Sequence, residues 1–197
     1  MTKMNYKKRM QLKKEHIDSR IEAANIEKGV IVLMTGNGKG KSSSAIGMVS
    51  RALGYGMKIG IAKFLKGEQE TGEDLFFKEQ KNVQTVFMET GFTWESQDKD
   101  LDKIKALEAW KLTKEFLSDP TIDLVILDEL TYMINYKYLD EGEIIKRLKS
   151  RPKKQHVVIT GRAACKGLVD IADTVSEVKE IKHAFRSNIK AQRGIDF

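Results

Sequence analysis

Five short apolar runs, rich in β-branched residues, limit what this chain can become. They are VIVLM at 30–34, KIGIAKFL at 58–65, NVQTVFM at 82–88, DLVILDE at 123–129 and HVVIT at 156–160. Helical stretches lie between them: SSSAIGMVSRALGYG, a short piece near GEDLFFKEQ, a longer one over about 101–118, and DEGEIIKRLKS. In the long stretch Leu101, Ile104, Leu107 and Trp110 step along one face, which predicts the face packed inward. Pro120 and Pro152 each fall between a helical stretch and the next apolar run, where a helix must stop. Short strands alternating with helices imply a mostly parallel sheet covered on both faces, a doubly wound α/β domain.

The turn after the first strand carries the chemistry. TGNGKGKSSSA, Thr35 to Ala45, resembles a phosphate loop but breaks its spacing. That loop sets a glycine, four free residues, then Gly-Lys-Ser/Thr. Counting back from Gly40-Lys41-Ser42, the first glycine belongs at 35, where threonine stands; it has moved to Gly36. Glycines let the backbone approach an anion, and the first N–H groups of the following helix point at it. Gly36, Asn37, Gly38, Lys39 and Gly40 are expected to form the turn, with Ser42 and Ser43 opening the helix. Lys41 would reach phosphate oxygens, the Ser42 hydroxyl a magnesium ion, and Lys39 adds a second positive charge. A dinucleotide loop would want glycine at 41, so lysine there points to a triphosphate. The plainer alternative is a glycine turn with incidental lysines.

Asp128-Glu129 ends LVILDE at the carboxyl edge of the expected sheet, where a carboxylate helps hold magnesium in nucleotide-binding proteins. A helix cap or turn is the ordinary alternative, and spacing does not say which carboxylate would contact the metal. These motifs place the fold among P-loop nucleotide-binding domains over residues 29–197, with a basic N-terminal helix over 1–28.

Composition removes other classes. No apolar run approaches the roughly 20 residues of a membrane span, and MTKMNYKKRMQLKKEH lacks the apolar core of a secretory signal. Cys165 is the single cysteine, so no intramolecular disulfide forms and a reducing cytoplasm is the expected setting. Residues 1–28 hold eight Lys/Arg against four Asp/Glu, over half of the net charge of +7. That segment either grips a polyanion or is a solvated helix face. His16, His156 and His183 have no metal-ligand spacing, and no serine–histidine or cysteine–histidine nucleophile is recognisable. Phe92 and Trp94 stand in the polar stretch TGFTWESQD, either as ligand contacts or as the buried face of a strand.

In order, TGNGKGKSSSA, GFTWESQD, VILDELTYM, ITGR and KHAF with KAQRGIDF resemble the P-loop class of ATP:corrinoid adenosyltransferases, across essentially the whole chain. The displaced glycine is that family's own form of the loop. The resemblance implies that the Co(I) of a corrinoid, cobalamin or cob(I)yrinic acid a,c-diamide, attacks the 5′-carbon of ATP. Intact triphosphate then leaves, in adenosylcobalamin biosynthesis or salvage. Co(I) carries no proton and needs no general base, so the protein supplies positioning and charge stabilisation.

By the same resemblance, Gly36 to Ser43 bind ATP, with Arg162 in ITGR as a further phosphate contact. Ser42, Glu129 and Asp128 serve Mg2+ or Mn2+, while Phe92 and Trp94 displace the lower axial ligand of cobalt and ease its reduction. The basic helix closes over ATP and corrinoid. A homodimer and a reduced flavoprotein electron donor are further family expectations, without nucleic acid or membrane as partners. Two departures stand out: Ser42-Ser43 replace threonines, and GRAACKG lacks the glycine usual after GR. Two rival readings are an ordinary P-loop ATPase or kinase acting on the γ-phosphate, and a nucleotide-regulated nucleic-acid binder using residues 3–20. Neither accounts for Phe92 and Trp94.

Overall fold

All five apolar runs become strands: β1 Ile31–Thr35, β2 Ile59–Lys63, β3 Val83–Phe87, β4 Leu124–Asp128 and β5 His156–Thr160. The computed structural model describes residues 3–65, 70–88 and 99–197. A sixth strand, β6 Thr174–Glu177, completes a sheet of order β3-β2-β4-β5-β1-β6. Every described pairing is parallel, where a mostly parallel sheet was expected. The helices are α1 Lys3–Ala23, α2 Lys41–Gly54, α3 Gly72–Lys78, α4 Lys99–Phe116, α5 Leu130–Asn135, α6 Glu141–Lys149 and α7 Lys166–Ile171.

Alternation along the strands builds two cores. Leu33, Val125, Leu127, Val157 and Ile159 point to one face, where they meet Trp110 of α4, Ile144 of α6 and Leu168 of α7. Ile59, Ile61, Leu124, Ile126 and Val158 point to the other, against Ala45 and Val49 of α2 and Phe77 of α3. This is the period of two that a strand imposes, and it makes the sheet doubly wound. Each such aliphatic side chain, fully buried, contributes roughly 1.5–3 kcal/mol.

Beyond the short α5, which the sequence reading did not name, two features depart from it. β6 was not foreseen: its residues TVSE are mostly exposed because it is an edge strand, so no apolar run marks it. The second departure is the face of α4. Leu101, Ile104 and Leu107 are 47%, 52% and 46% exposed, whereas Asp102, Ala106, Ala109, Trp110, Thr113 and Phe116 are buried. The small side chains at 106 and 109 let α4 lie close to the sheet, and the Phe116 ring occupies the place a Cβ on Gly60 of β2 would take. Close approach outweighs the leucine periodicity. Trp110 is in the core as expected, its indole N–H donating to Glu143 Oε1 at 3.1 Å.

Residues 5–28 are exposed throughout, so α1 stands off the sheet, tied at its base by Lys28 and Asp173 at 2.5 Å. Among the described residues no helix is long and apolar enough to cross a membrane.

Candidate functional site

The carboxyl ends of β1, β4 and β5 lie side by side, and the loops leaving them build one cleft. Residues 36–40 turn the chain from β1 into α2. Gly36 and Gly40 sit at φ 99° and 118°, the region open mainly to glycine. A Cβ on Gly36 would fall 2.4 Å from the Val178 carbonyl oxygen, so backbone proximity also demands glycine there. The displaced glycine therefore has a structural reason. Thr35 remains the last residue of β1, and its hydroxyl accepts from the Ala164 N–H at 3.3 Å. That bond joins the glycine turn to the loop after β5, which a glycine at 35 could not do.

α2 begins without a side-chain cap, because the residue before it is Gly40. Its leading N–H groups are left to whatever enters the cleft, with the favourable end of the helix dipole behind them. Lys41 is 6% exposed and its Nζ donates to the Gly38 carbonyl at 2.9 Å. Burial pushes its pKa down, while Glu129 pulls the other way.

The acidic pair is split. The Thr160 hydroxyl donates to Asp128 Oδ1 at 2.6 Å and accepts from the Glu129 N–H at 2.9 Å, which keeps Asp128 buried beneath the cleft. Glu129 takes φ 57° and turns its carboxylate into the cleft, where Oε2 is buried without a hydrogen-bond partner among the described residues. Burial pushes its pKa up to about 7, with Asp128 adding and Lys41 and Arg162 opposing. Such an oxygen has the chemistry of a hard-cation ligand. Magnesium is commonly held by one or two carboxylates together with substrate phosphates. The unpartnered Glu129 oxygen fits that mode, because it lines one cleft with Ser42 and the glycine turn.

Arg162 lines the same space, its carbonyl held by the Thr131 hydroxyl at 2.7 Å. The cleft encloses about 620 Å³ and is lined by Asn37 to Ser43, Glu129 and Arg162. Gly36 lies at the base of the turn, and Phe92 and Trp94 fall outside the described residues. The sequence reading missed the other walls: Gly72 and Glu73 of α3, His183, and residues 194–197. Lys39 is paired with Asp196 at 2.7 Å, and the Gly194 N–H closes the tail onto the Phe197 carbonyl at 2.7 Å. The motif KAQRGIDF was visible in the chain, but no periodicity told that it returns to the loop.

An α/β protein with an uncapped helix start, a lysine, an arginine and two carboxylates about one cleft has the chemistry to receive a polyanion. The family model of ATP:corrinoid adenosyltransferase BtuR/CobO/CobP matches residues 27–197. A corrinoid adenosyltransferase of Pseudomonas aeruginosa is 47% identical over 193 residues, 98% of this chain and 95% of that protein. The corrinoid adenosyltransferase CobA of Salmonella typhimurium is 44% identical over 197 residues, and a corrinoid adenosyltransferase of Escherichia coli K12 is 43% identical, each over 100% of both chains. The chain belongs to the ATP:corrinoid adenosyltransferase family.

Proposed function

We propose that this transferase moves the 5′-deoxyadenosyl group of ATP to the Co(I) of a corrinoid in cobalamin synthesis and releases triphosphate. Within a chain of this family, one observation carries the residue roles: the uncapped start of α2 shares a cleft with Lys41, Glu129 and Arg162. The loop is a P-loop variant that holds a leaving group. Cobalt supplies the electron pair of the new cobalt–carbon bond, and the C5′–O5′ pair leaves with triphosphate. No proton moves, so the chain needs no base.

The residues then divide their work. Gly36 to Ser43 enclose the triphosphate, with the N–H groups that open α2 turned to it, and Lys41 and Arg162 offset its growing charge. Mg2+ or Mn2+ bound with ATP supplies further charge neutralisation, with Glu129 and the Ser42 hydroxyl as its protein ligands and Asp128 supporting from below. Phe92 and Trp94 occupy the lower face of the corrinoid. The basic segment over 1–28, which contains α1, covers the substrates in the liganded state. The remaining parts of this reading are a homodimer in the cytoplasm and a reduced flavoprotein as electron donor.

The test is product analysis without oxygen, using Mg-ATP and chemically reduced cobalamin. Adenosylcobalamin and intact triphosphate in equal amounts support the reading. ADP and phosphate without an adenosylated corrinoid overturn it and leave an ATPase.

A further inference from the structure

The wall facing the glycine turn contains a charge pair that stability does not explain. Lys63 is the last residue of β2 and only 6% exposed. Its Nζ lies 2.5 Å from Asp74 Oδ1, 3.4 Å from the Thr71 hydroxyl and 3.8 Å from Glu73 Oε1. Asp74 is 5% exposed. Withdrawing two charges from water is unfavourable, and well-packed apolar side chains of similar volume generally do as well or better.

Geometry gives the pair a purpose. The Asp74 carboxylate accepts from the Thr71 N–H at 3.2 Å while the Thr71 hydroxyl accepts from the Asp74 N–H at 3.4 Å, a complete capping box. One carboxylate thus fastens the first turn of α3 to itself and, through Lys63, to the carboxyl edge of the sheet. The residues between the two fastened points are Gly72 and Glu73, the same two that α3 contributes to the cleft. Burial pushes the Asp74 pKa up, but the bond and charge of Lys63 and the Thr71 bonds outweigh it, and the carboxyl is held below its ordinary value. The Asp74 carboxylate therefore stays ionised at neutral pH.

Glu73 meets a different electrostatic setting from the other cleft carboxylates. Asp196 is engaged by Lys39, and Glu129 lies against Lys41 and Arg162. Among the described residues Glu73 has only the 3.8 Å ion pair with Lys63, and its side chain is 33% exposed. A carboxylate repels phosphate, so the part of a nucleotide beside it must bring hydrogen-bond donors. The ribose is the group joined directly to the triphosphate, and its vicinal hydroxyls suit a carboxylate, as they do at the acidic residue of dinucleotide folds.

We infer that Glu73 grips the ribose of bound ATP and that the buried Lys63–Asp74 pair aims it. Holding the ribose also holds the 5′-carbon, the atom at which transfer takes place, so this residue governs both sugar choice and attack geometry. The inference rests on the adenosyl-transfer reading and extends it to the sugar.

The experiment uses the full chain with ATP, 2′-deoxy-ATP and 3′-deoxy-ATP, reading dissociation constants by calorimetry and kcat/KM for transfer. Removing the hydroxyl that Glu73 holds should weaken binding to wild type ~10- to 100-fold, and Glu73→Ala should weaken ATP by the same factor. The variant should then bind ATP and that deoxy analogue alike, with unchanged affinity for tripolyphosphate. Lys63→Met with Asp74→Leu, which leaves no buried charge unpaired, should keep the fold and lose part of the preference for ribose. Equal losses of ATP and both deoxynucleotides in Glu73→Ala would overturn the inference, as would a changed affinity for tripolyphosphate. Binding requires no corrinoid, so failure of the underlying reading is distinguishable: wild type would bind ATP and transfer nothing.

Discussion

Two helices open onto the cleft, and they start in opposite ways. α2 follows Gly40 at φ 118° and has no side-chain cap. α3 follows Thr71 in extended backbone and closes its first turn with a reciprocal capping box. Both helices face the same volume, so the difference belongs to their tasks. An uncapped start leaves donors for an anion, whereas a capped start has satisfied its own donors and serves as a rigid wall. The open start of α2 is thus an absence of local satisfaction, placed where a ligand could supply what is missing.

The sharpest test of that contrast is Lys41, the first residue of α2. Lys41→Met should lower kcat/KM for transfer about 10²- to 10³-fold, in the range seen on removing one preorganised charge-stabilising donor. The same variant should not lose thermal stability, because burial already disfavours the charged lysine. A large fall in melting temperature would show that the lysine is structural.

Glu129 probes the floor beneath that open start. Its folded pKa of about 7 lies above the ordinary 4.5, so its burial penalty is absent below pH 4.5 and complete above pH 7. Glu129→Gln should therefore stabilise the ligand-free protein, by nothing at pH 4 and by at most about 3 kcal/mol at pH 8. Denaturant midpoints across that range check the sign, and a gain independent of pH would refute it.

Thr71 probes the closed start. Thr71→Ala removes the cap and should destabilise by about 1 kcal/mol, with a far smaller effect on transfer than Lys41→Met. An effect on transfer as large as that of Lys41 would erase the contrast between the two helices.

The smallest effect is expected at the tail. Asp196→Asn frees Lys39 from its ion pair, and tripolyphosphate should bind about two- to five-fold tighter, as for other exposed pairs. Weaker binding would mean that the tail helps to hold phosphate.

Much of this was legible in the chain, for local reasons. VIVLM, DLVILDE and HVVIT are buried on both faces, so they read as unbroken apolar runs, and each became a central strand within one residue of its expected limits. Gly36, Gly40, Lys41 and the pair Asp128-Glu129 were recognisable because main-chain conformation and charge leave marks at short spacing. β6 was not legible, because an edge strand needs no apolar signature. The inward face of α4 was misread because hydrophobicity favoured Leu101, Ile104 and Leu107, whereas close packing on Gly60 favoured Ala106 and Ala109.

The sequence by itself determined the strand and helix alternation, the glycine turn that opens α2, and the family to which the chain belongs. These rest on interactions between residues near one another in the chain or on motifs kept in order. Only the tertiary structure decided which acidic residue faces the cleft, since the Thr160 hydroxyl that keeps Asp128 below and Glu129 above comes from another strand. It alone brought residues 194–197 to Lys39 and set Lys63 against Asp74. Such pairings span elements far apart in sequence, and their energies depend on burial, which no local pattern records.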